Sequence, residues 1–355
     1  MNIPRTDDLE LMLERARAAG VRSLIITGGS LHESKEALSL ARQHGLYATV
    51  GCHPTRSKEF EECAGGPEAY LKELDELIGA SREGKGRVVA VGECGLGGRF
   101  YLSLEGDGHY DRTHFAPPDI QQKHFRRCHY HDQNLHKANV FFAYIGSQLS
   151  LAKKHHLPLF LHSRAAHTDF VKILREEGFG ENGGRDAGAK GGVVHSFTGT
   201  VQEAEELVRR SFWEHYPETK TKSIRCLQMD MGFHIGLNGC SLKTPENLVT
   251  AAAVRLDKLM LETDAPWCSL TSTHASRAHI NTLPPNLSSL YFPQATKPEA
   301  FVPGKPVKGR NEPTAIGGVA WVLHKLHSDS GLSFEGLTEH AWRNTVDIFG
   351  LDELV

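Results

Sequence analysis

The sequence predicts an α/β fold built on a parallel barrel, and three observations carry that prediction. Amphipathic helices alternate with short apolar runs along the chain, the pattern of a parallel sheet whose strands are joined by helical crossovers. Five of those runs end in, or just before, a metal-competent or acid–base residue: His53 in YATVGCHP, Glu93 in VVAVGEC, His162 and Arg164 in LPLFLHSR, His195 in GGVVHSF and Asp264 in LMLETDAPW. Parallel barrels carry their sites at that end of the strands. The length of 355 residues accommodates one large barrel, and with no solenoid repeat or low-complexity tract a single domain over 1–355 is the economical reading.

The elements follow in order. Leu9, Met12, Leu13 and Ala16 fall on one helical face within residues 7–19, and Gly20 ends that helix. A strand is expected over 21–27. LHESKEALSLARQHG is a second amphipathic helix closed by Gly45, LYATVGCHP a strand, PEAYLKELDELIGA a helix and RVVAVGECG a strand. Later strands are expected over 157–163, 191–197, 232–239 and 258–264, the last stopped by Pro266. That makes seven. An eight-stranded barrel needs one more, and since the chain opens on a helix the strand expected to be missing is the first, which leaves two unpaired sheet edges. The Pro-, Ser- and Thr-rich stretch 269–313 is too long for a tight connection and reads as a lid. GGVAWVLHKLHSDSG and FEGLTEHAWRNTVDIFG read as closing helices.

Three segments break this pattern: 97–109, 127–146 and 209–228. Each interrupts an element instead of extending a loop tip, where insertions are tolerated. They read as insertions, of the kind left by introns retained in a gene model. Removing the second joins QQKHFR to SQLSLAKKHHLP and brings Phe125, Leu149 and Leu151 into helical register.

Composition excludes several classes. A net charge of −3 gives no global attraction to nucleic acid or membrane, so a nucleic-acid role requires a local basic groove. No secretory segment is recognisable at the N-terminus, no apolar run approaches membrane-spanning length, and no obligate protein partner is evident. Seven cysteines without a CxxC pair suggest reduced thiols in the cytoplasm or nucleus. Cys52, Cys94 and Cys240 read as small buried hydrophobes.

Glu93, His162, His195 and Asp264 come from four different expected strands at one end of the sheet. Two imidazoles and two carboxylates make a mixed nitrogen and oxygen site suited to Zn²⁺, Mn²⁺ or Mg²⁺. Any one of them alone reads as a hydrogen-bonded strand end or a helix cap. Four in one phase of an alternating pattern read as a metal site.

The strings LIITGG, TVGCHPT, VVAVGECGL, LPLFLHSR, GGVVHSFTGT, IGLNGCSLKT, LMLETDAPWC and GRNEP together resemble the TatD family of metal-dependent deoxyribonucleases, particularly its eukaryotic branch. The resemblance runs from about residue 7 to the C-terminus, outside the three interrupting segments. It implies a TIM-type (β/α)8 barrel, divalent metal ions and hydrolysis of phosphodiester bonds in DNA, commonly as an exonuclease. By that match Glu93, His162, His195 and Asp264 are the metal ligands, and Asp264 is also a candidate for orienting or deprotonating the attacking water, with Glu93 catalytic as a bridge between two ions. Two ions would supply both a nucleophile at neutral pH and positive charge on the phosphate. Mg²⁺ is the first expectation, with Mn²⁺ or Zn²⁺ as alternatives.

Substrate contacts are expected from His53, Arg164, Lys243 and Arg310. His53 fits a scissile phosphate or a packing role in its loop, Arg164 a phosphate or an ion pair with a neighbouring carboxylate. Lys243 and Arg310 fit the nucleic-acid backbone or plain solvation. Two departures from the family stand near the site. Its first strand has no counterpart, and GECGL is followed by Gly97 and Gly98 where the family has an acidic residue, displaced here to Asp111. The rival readings are a related metallo-hydrolase acting on amides or other esters, and an inactive truncated gene product. Many such hydrolases bridge their metals through a modified strand-end lysine; Glu93 at that position favours the nuclease-type site.

Overall fold

The computed structural model describes residues 8–97, 148–208 and 231–354. Apart from Gly97, the three interrupting segments lie outside the described residues, as do Phe125 and Asp111.

Seven strands form one parallel sheet in sequence order. They are β1 (Ile25–Ile26), β2 (Tyr47–Val50), β3 (Val88–Gly97), β4 (Leu159–Arg164), β5 (Gly192–His195), β6 (His234–Leu237) and β7 (Leu259–Leu261). Every neighbouring pair is parallel, and helices carry the chain back between strands. The helix Leu31–His44 follows β1. Ser30 caps it by accepting from the Glu33 amide at 3.2 Å, and Gly45 closes it in the left-handed region with φ of 67°. Ala37, Leu38 and Ala41 bury one face of it against the sheet. Each fully buried leucine of this kind contributes roughly 1.5–3 kcal/mol relative to exposure.

Two strands are shorter than the apolar runs that predict them. The run 21–27 pairs only at Ile25–Ile26, and 258–264 only at Leu259–Leu261, preceded by the 3-10 turn Leu256–Lys258. An apolar run reports burial, whereas a strand also needs a partner ladder. The last strand therefore stops before its acidic residues, and Glu262 and Asp264 lie on the loop beyond it.

Among the described residues no ladder joins β1 to β7, so the curled sheet has two free edges. A cavity of about 1710 Å³ is lined by Ile25 and Ile26 from one edge and by Met260 and Leu261 from the other, and its lining continues to Glu93, His162 and His195. Side chains link the flanks of this gap. Arg310, after β7, gives Asp8 two hydrogen bonds of 2.9 and 2.5 Å and gives Glu312 a third at 3.1 Å. Glu312 also accepts from Arg15, on the helix Leu9–Ala18, at 2.8 and 2.9 Å.

The stretch expected as a lid is built into the molecule. Ile280, Leu283 and Tyr291 belong to the main core, and Trp321 Nε1 of the closing helix Ile316–Leu326 donates to Thr282 Oγ1 at 3.0 Å. The second closing helix, Phe334–Phe349, is tied to the start of β7 by Asn344, whose Nδ2 donates to the carbonyls of Leu256 and Leu259 at 2.8 Å each.

The Arg310 guanidinium bonded to Asp8 holds that carboxyl below its usual range, against the opposing effect of burial. A depressed folded-state pKa means the stabilisation is complete above the unfolded value, about 3.9, and is lost as pH falls through the folded value. Asp8→Asn is expected to cost roughly 1–3 kcal/mol at pH 7. The gap in Tm between variant and parent should close as the pH is lowered below 4, and a pH-independent gap would assign the effect to packing.

Candidate metal centre

The centre is organised on one oxygen atom. Glu93 Oε1 lies 2.5 Å from His195 Nε2, 2.9 Å from His162 Nδ1 and 3.3 Å from His53 Nε2. His162 Nδ1 and His195 Nε2 are 3.4 Å apart. The side chains of Glu93 and His162 are each 13% exposed and that of His195 4%.

The local backbone explains how Glu93 reaches that position. The β3–β4 register shifts between Gly92, paired with Phe160, and Cys94, paired with Leu161, so Glu93 is the extra residue of a bulge. Gly92 has φ of 145°, and a Cβ there would sit 2.1 Å from the Phe160 carbonyl oxygen; one on Gly95, at φ of 148°, would sit 1.9 Å from that of His162. No other residue fits against β4 at these two positions. The Glu93 amide donates to the Gly28 carbonyl at 2.9 Å, which anchors the bulge on the β1 side.

His162 and His195 project from β4 and β5 in direct register. Burial is the largest influence on both and disfavours their charged forms. For His162 it prevails, with the help of the neighbouring His53, and its pKa falls to about 4. For His195 the charges of Glu93 and Glu262 outweigh it, and the ring holds its proton well above the ordinary range. Burial likewise works against the Glu93 carboxylate, but the three histidines reverse it, and the group stays ionised well below the usual range. A neutral imidazole and an ionised carboxylate are the forms that ligate metal; His162 and Glu93 already hold them, and His195 would give up its Nε2 proton on ligation.

His162 Nε2 is buried and has no hydrogen-bond partner. A buried lone pair without a donor is costly in a folded protein and is satisfied by a cation. Glu93 Oε1 and His195 Nε2 lie against the ring's other nitrogen, Nδ1, and one carboxylate with two imidazoles is a donor set that suits Zn²⁺ or Mn²⁺, and Mg²⁺ with fewer imidazole contacts.

His53 lies in the same cluster: one ligand atom each from His53, Glu93 and His162 fall within 4.8 Å of one another. Its chemistry differs, however. The Thr55 amide donates to His53 Nδ1 at 3.2 Å, so in the neutral ring Nε2 carries the proton and donates. That suits a carboxylate or phosphate oxygen better than a metal ion.

Asp264 lines the same cavity but is not part of that cluster. It holds φ of 56°, and its Oδ2 accepts from the Cys268 thiol at 3.2 Å. Arg164 ends β4 and lines the cavity. Lys243 is exposed and does not line it, while Arg310 lines it with its guanidinium engaged by Asp8 and Glu312. Of the four expected substrate contacts, His53 thus lies in the cluster, Arg164 lines the cavity, Lys243 stands outside its lining and Arg310 serves the structural network.

Glu262 received no role from the sequence. Its Oε2 accepts from the Ser196 amide at 2.9 Å and lies 3.8 Å from His195 Nδ1, while Gly236 leaves it room, since a Cβ there would come within 1.7 Å of Oε1. It stands behind His195, on the side away from Glu93, and orients the ring. The signal was present in ETD: residues 262 and 264 are two apart and both acidic, and both line the cavity, but the spacing does not say which of them meets His195.

The chain matches the family described as TatD-related DNase over residues 2–350. It is 36% identical over 343 residues to the deoxyribonuclease Tat-D of Schizosaccharomyces pombe, covering 96% of this chain and 87% of that protein. It is 32% identical over 265 residues to the 3'-5' ssDNA/RNA exonuclease TatD of Erwinia tasmaniensis, covering 73% of this chain and 74% of that one. Among solved structures, an uncharacterized amidohydrolase from Saccharomyces cerevisiae superposes with a TM-score of 0.70 at 26% identity, covering 96% of this chain and 92% of that one.

Glu262→Gln removes the charge behind His195 without changing shape. It is expected to weaken divalent-ion binding by roughly 10–100-fold, measured by calorimetric titration with Mn²⁺. Unchanged affinity would leave Glu262 with only its bond to the Ser196 amide.

Proposed function

This chain belongs to the TatD-related DNase family, and on that premise we propose that it is a metal-dependent deoxyribonuclease, hydrolysing phosphodiester bonds of DNA as an exonuclease in the cytoplasm or nucleus. The observation that carries this reading is the convergence of His162, His195 and His53 on Glu93 Oε1 at the C-terminal end of a parallel sheet. No helix among the described residues is long and apolar enough to cross a membrane.

Glu93, His162, His195 and Asp264 would hold the metal, with Mg²⁺ first and Mn²⁺ or Zn²⁺ as alternatives, and the set would take two ions. A divalent cation there withdraws charge from the phosphate and makes a neighbouring water more acidic. The chain's own groups do the rest. Glu93 contributes fixed negative charge, and Glu262 keeps His195 in one orientation. Asp264, held by Cys268, is the carboxylate placed to orient the attacking water and receive its proton. His53 donates Nε2–H to a phosphate oxygen and Arg164 supplies positive charge on the same wall. With a net charge of −3, positive charge for the DNA backbone has to come from individual side chains of the cavity wall such as Arg164.

Trp267 extends this to the bases. Its indole is 58% exposed, the largest exposed apolar side chain among the described residues, and it lines the site cavity. Its amide donates to the Asp264 carbonyl at 2.8 Å and its carbonyl accepts from Asn311 Nδ2 at 2.7 Å, so the backbone beneath the ring is clamped to the site. A fixed, solvent-facing indole is a stacking platform for an unpaired base.

Two measurements check the reading. Glu93→Gln and Asp264→Asn should each lower kcat on DNA by roughly two orders of magnitude or more, with little change in Tm in chelator for Asp264→Asn and a lower Tm for Glu93→Gln, which leaves the His195 ring without its counter-charge, and the purified parent should lose its activity in chelator and regain it with Mg²⁺ or Mn²⁺. DNA degradation that survives exhaustive chelation excludes a metal mechanism, and turnover of amides but not DNA assigns the site to the related hydrolases. Trp267→Ala should raise KM for a single-stranded oligonucleotide roughly fivefold or more while leaving hydrolysis of bis(p-nitrophenyl) phosphate, which has no base, unchanged; equal effects on both substrates would remove the stacking role.

A further inference from the structure

Five cysteines among the described residues are free thiols, and two of them meet beside the centre. Cys240 Sγ and Cys268 Sγ are 2.7 Å apart, within van der Waals contact and about 0.65 Å beyond the length of a disulfide bond. Cys52 and Cys94 are buried, whereas Cys240 and Cys268 are both part-exposed. The two thiols come from neighbouring loops. Cys240 opens the turn Cys240–Leu242 after β6, where its amide donates to Asn238 Oδ1 at 2.9 Å; Cys268 follows Trp267 after β7. Gly239 makes the approach possible, since a Cβ there would sit 2.0 Å from the Cys268 carbonyl oxygen.

We propose that Cys240 and Cys268 form a reversible thiol–disulfide site that ties the loop after β6 to the loop carrying Asp264. A small oxidised disulfide of the glutathione class is the co-reactant. The Cys240 thiol gives its proton to solvent and, as the thiolate, attacks one sulfur of the oxidant, forming a mixed disulfide and expelling one thiolate. The Cys268 thiol gives its proton to solvent and attacks the Cys240 sulfur, expelling the second. The protein pair loses two electrons and two protons, and the oxidant is reduced to two thiols.

The consequence falls on Asp264. In the reduced state the Cys268 thiol donates to Asp264 Oδ2 at 3.2 Å. A disulfide has no S–H, so oxidation removes that donor and fixes the backbone four residues beyond Asp264 to the neighbouring loop. Oxidation therefore lowers the activity that depends on Asp264, a step that rests on the deoxyribonuclease reading, whereas formation of the bond itself does not.

The test incubates the full chain with oxidised glutathione, then alkylates the remaining thiols and maps peptides by mass spectrometry with and without reduction. A peptide pair joining Cys240 to Cys268, released by dithiothreitol, is the expected result. Alkylation of both residues, or pairing of either with a different cysteine, overturns the site. DNA hydrolysis is measured on the same samples. A severalfold loss restored by dithiothreitol, and absent in Cys240→Ser, is expected; a bond that forms with activity unchanged overturns the coupling to Asp264. A reduced protein with no activity on DNA counts against the nuclease reading and so against the coupling, while the peptide map still decides the bond.

Discussion

One buried carboxylate oxygen sets the terms for the site. Glu93 Oε1 meets three imidazole nitrogens within 3.3 Å, in surroundings where an unpaired charge is prohibitive. That arrangement needs three strand ends and a loop in fixed relation, and it needs Glu93 displaced from the regular ladder. The bulge in β3 supplies the displacement, and the two glycines around Glu93 allow β4 to lie close enough for His162 to meet it. The supporting residues each hold one ring. Thr55 determines which nitrogen of His53 carries the proton, Glu262 stands behind His195, and Phe160 stacks on the His195 ring at 4.5 Å between centroids. A centre held this way has little freedom to rearrange when a cation enters, so its geometry is largely prepaid by the fold.

The rest of the molecule is arranged around a sheet that does not close on itself among the described residues. The flanks of the gap are connected by charge instead of a ladder: Asp8 and Arg15 from the first helix, Arg310 and Glu312 from the segment after β7. Four alternating charges with two two-point pairs, Arg310–Asp8 and Arg15–Glu312, satisfy one another in a part-buried setting, where an isolated pair would contribute little. This is why Arg310, an obvious cation at the cavity wall, serves the frame and leaves phosphate to Arg164 and His53 in the proposed mechanism. It also separates two groups of polar residues, in GRNEP and ETDAPW, that look alike in the sequence: one holds the chain, the other faces the cavity.

The loop after β7 concentrates the functional inference. Within seven residues it carries the positioning carboxylate Glu262, the candidate ligand Asp264, an exposed indole and a thiol in contact with a second thiol. Asn311 ties this loop down by donating to the carbonyls of Thr263 and Trp267 at 2.9 and 2.7 Å, and its own amide donates to that of Pro266. A loop with its backbone bonded at three points presents side chains nearly as rigidly as a strand does, which is what a base platform and a proton acceptor on one short segment require.

The amino-acid pattern alone carried the architecture and most of the candidate centre. Alternating periodicity reports which faces are buried, so seven strands, their order and the site-bearing end of the sheet were legible, and so were Glu93, His162 and His195, whose positions depend only on lying at strand ends. Strand limits were not legible, because an apolar run records burial and the ladder depends on a partner elsewhere in the chain; β1 and β7 are the cases. What long-range neighbours impose emerges from how the fold packs. Asp8 lies 302 residues from Arg310, and no local pattern says that they pair. The proton on His53 follows from the Thr55 amide, the role of Glu262 from the packing that sets it behind His195, and the meeting of Cys240 with Cys268 from two loops that touch because residue 239 has no side chain. Spacing along a chain fixes which residues share a face, but which atoms meet across a fold depends on how those faces pack.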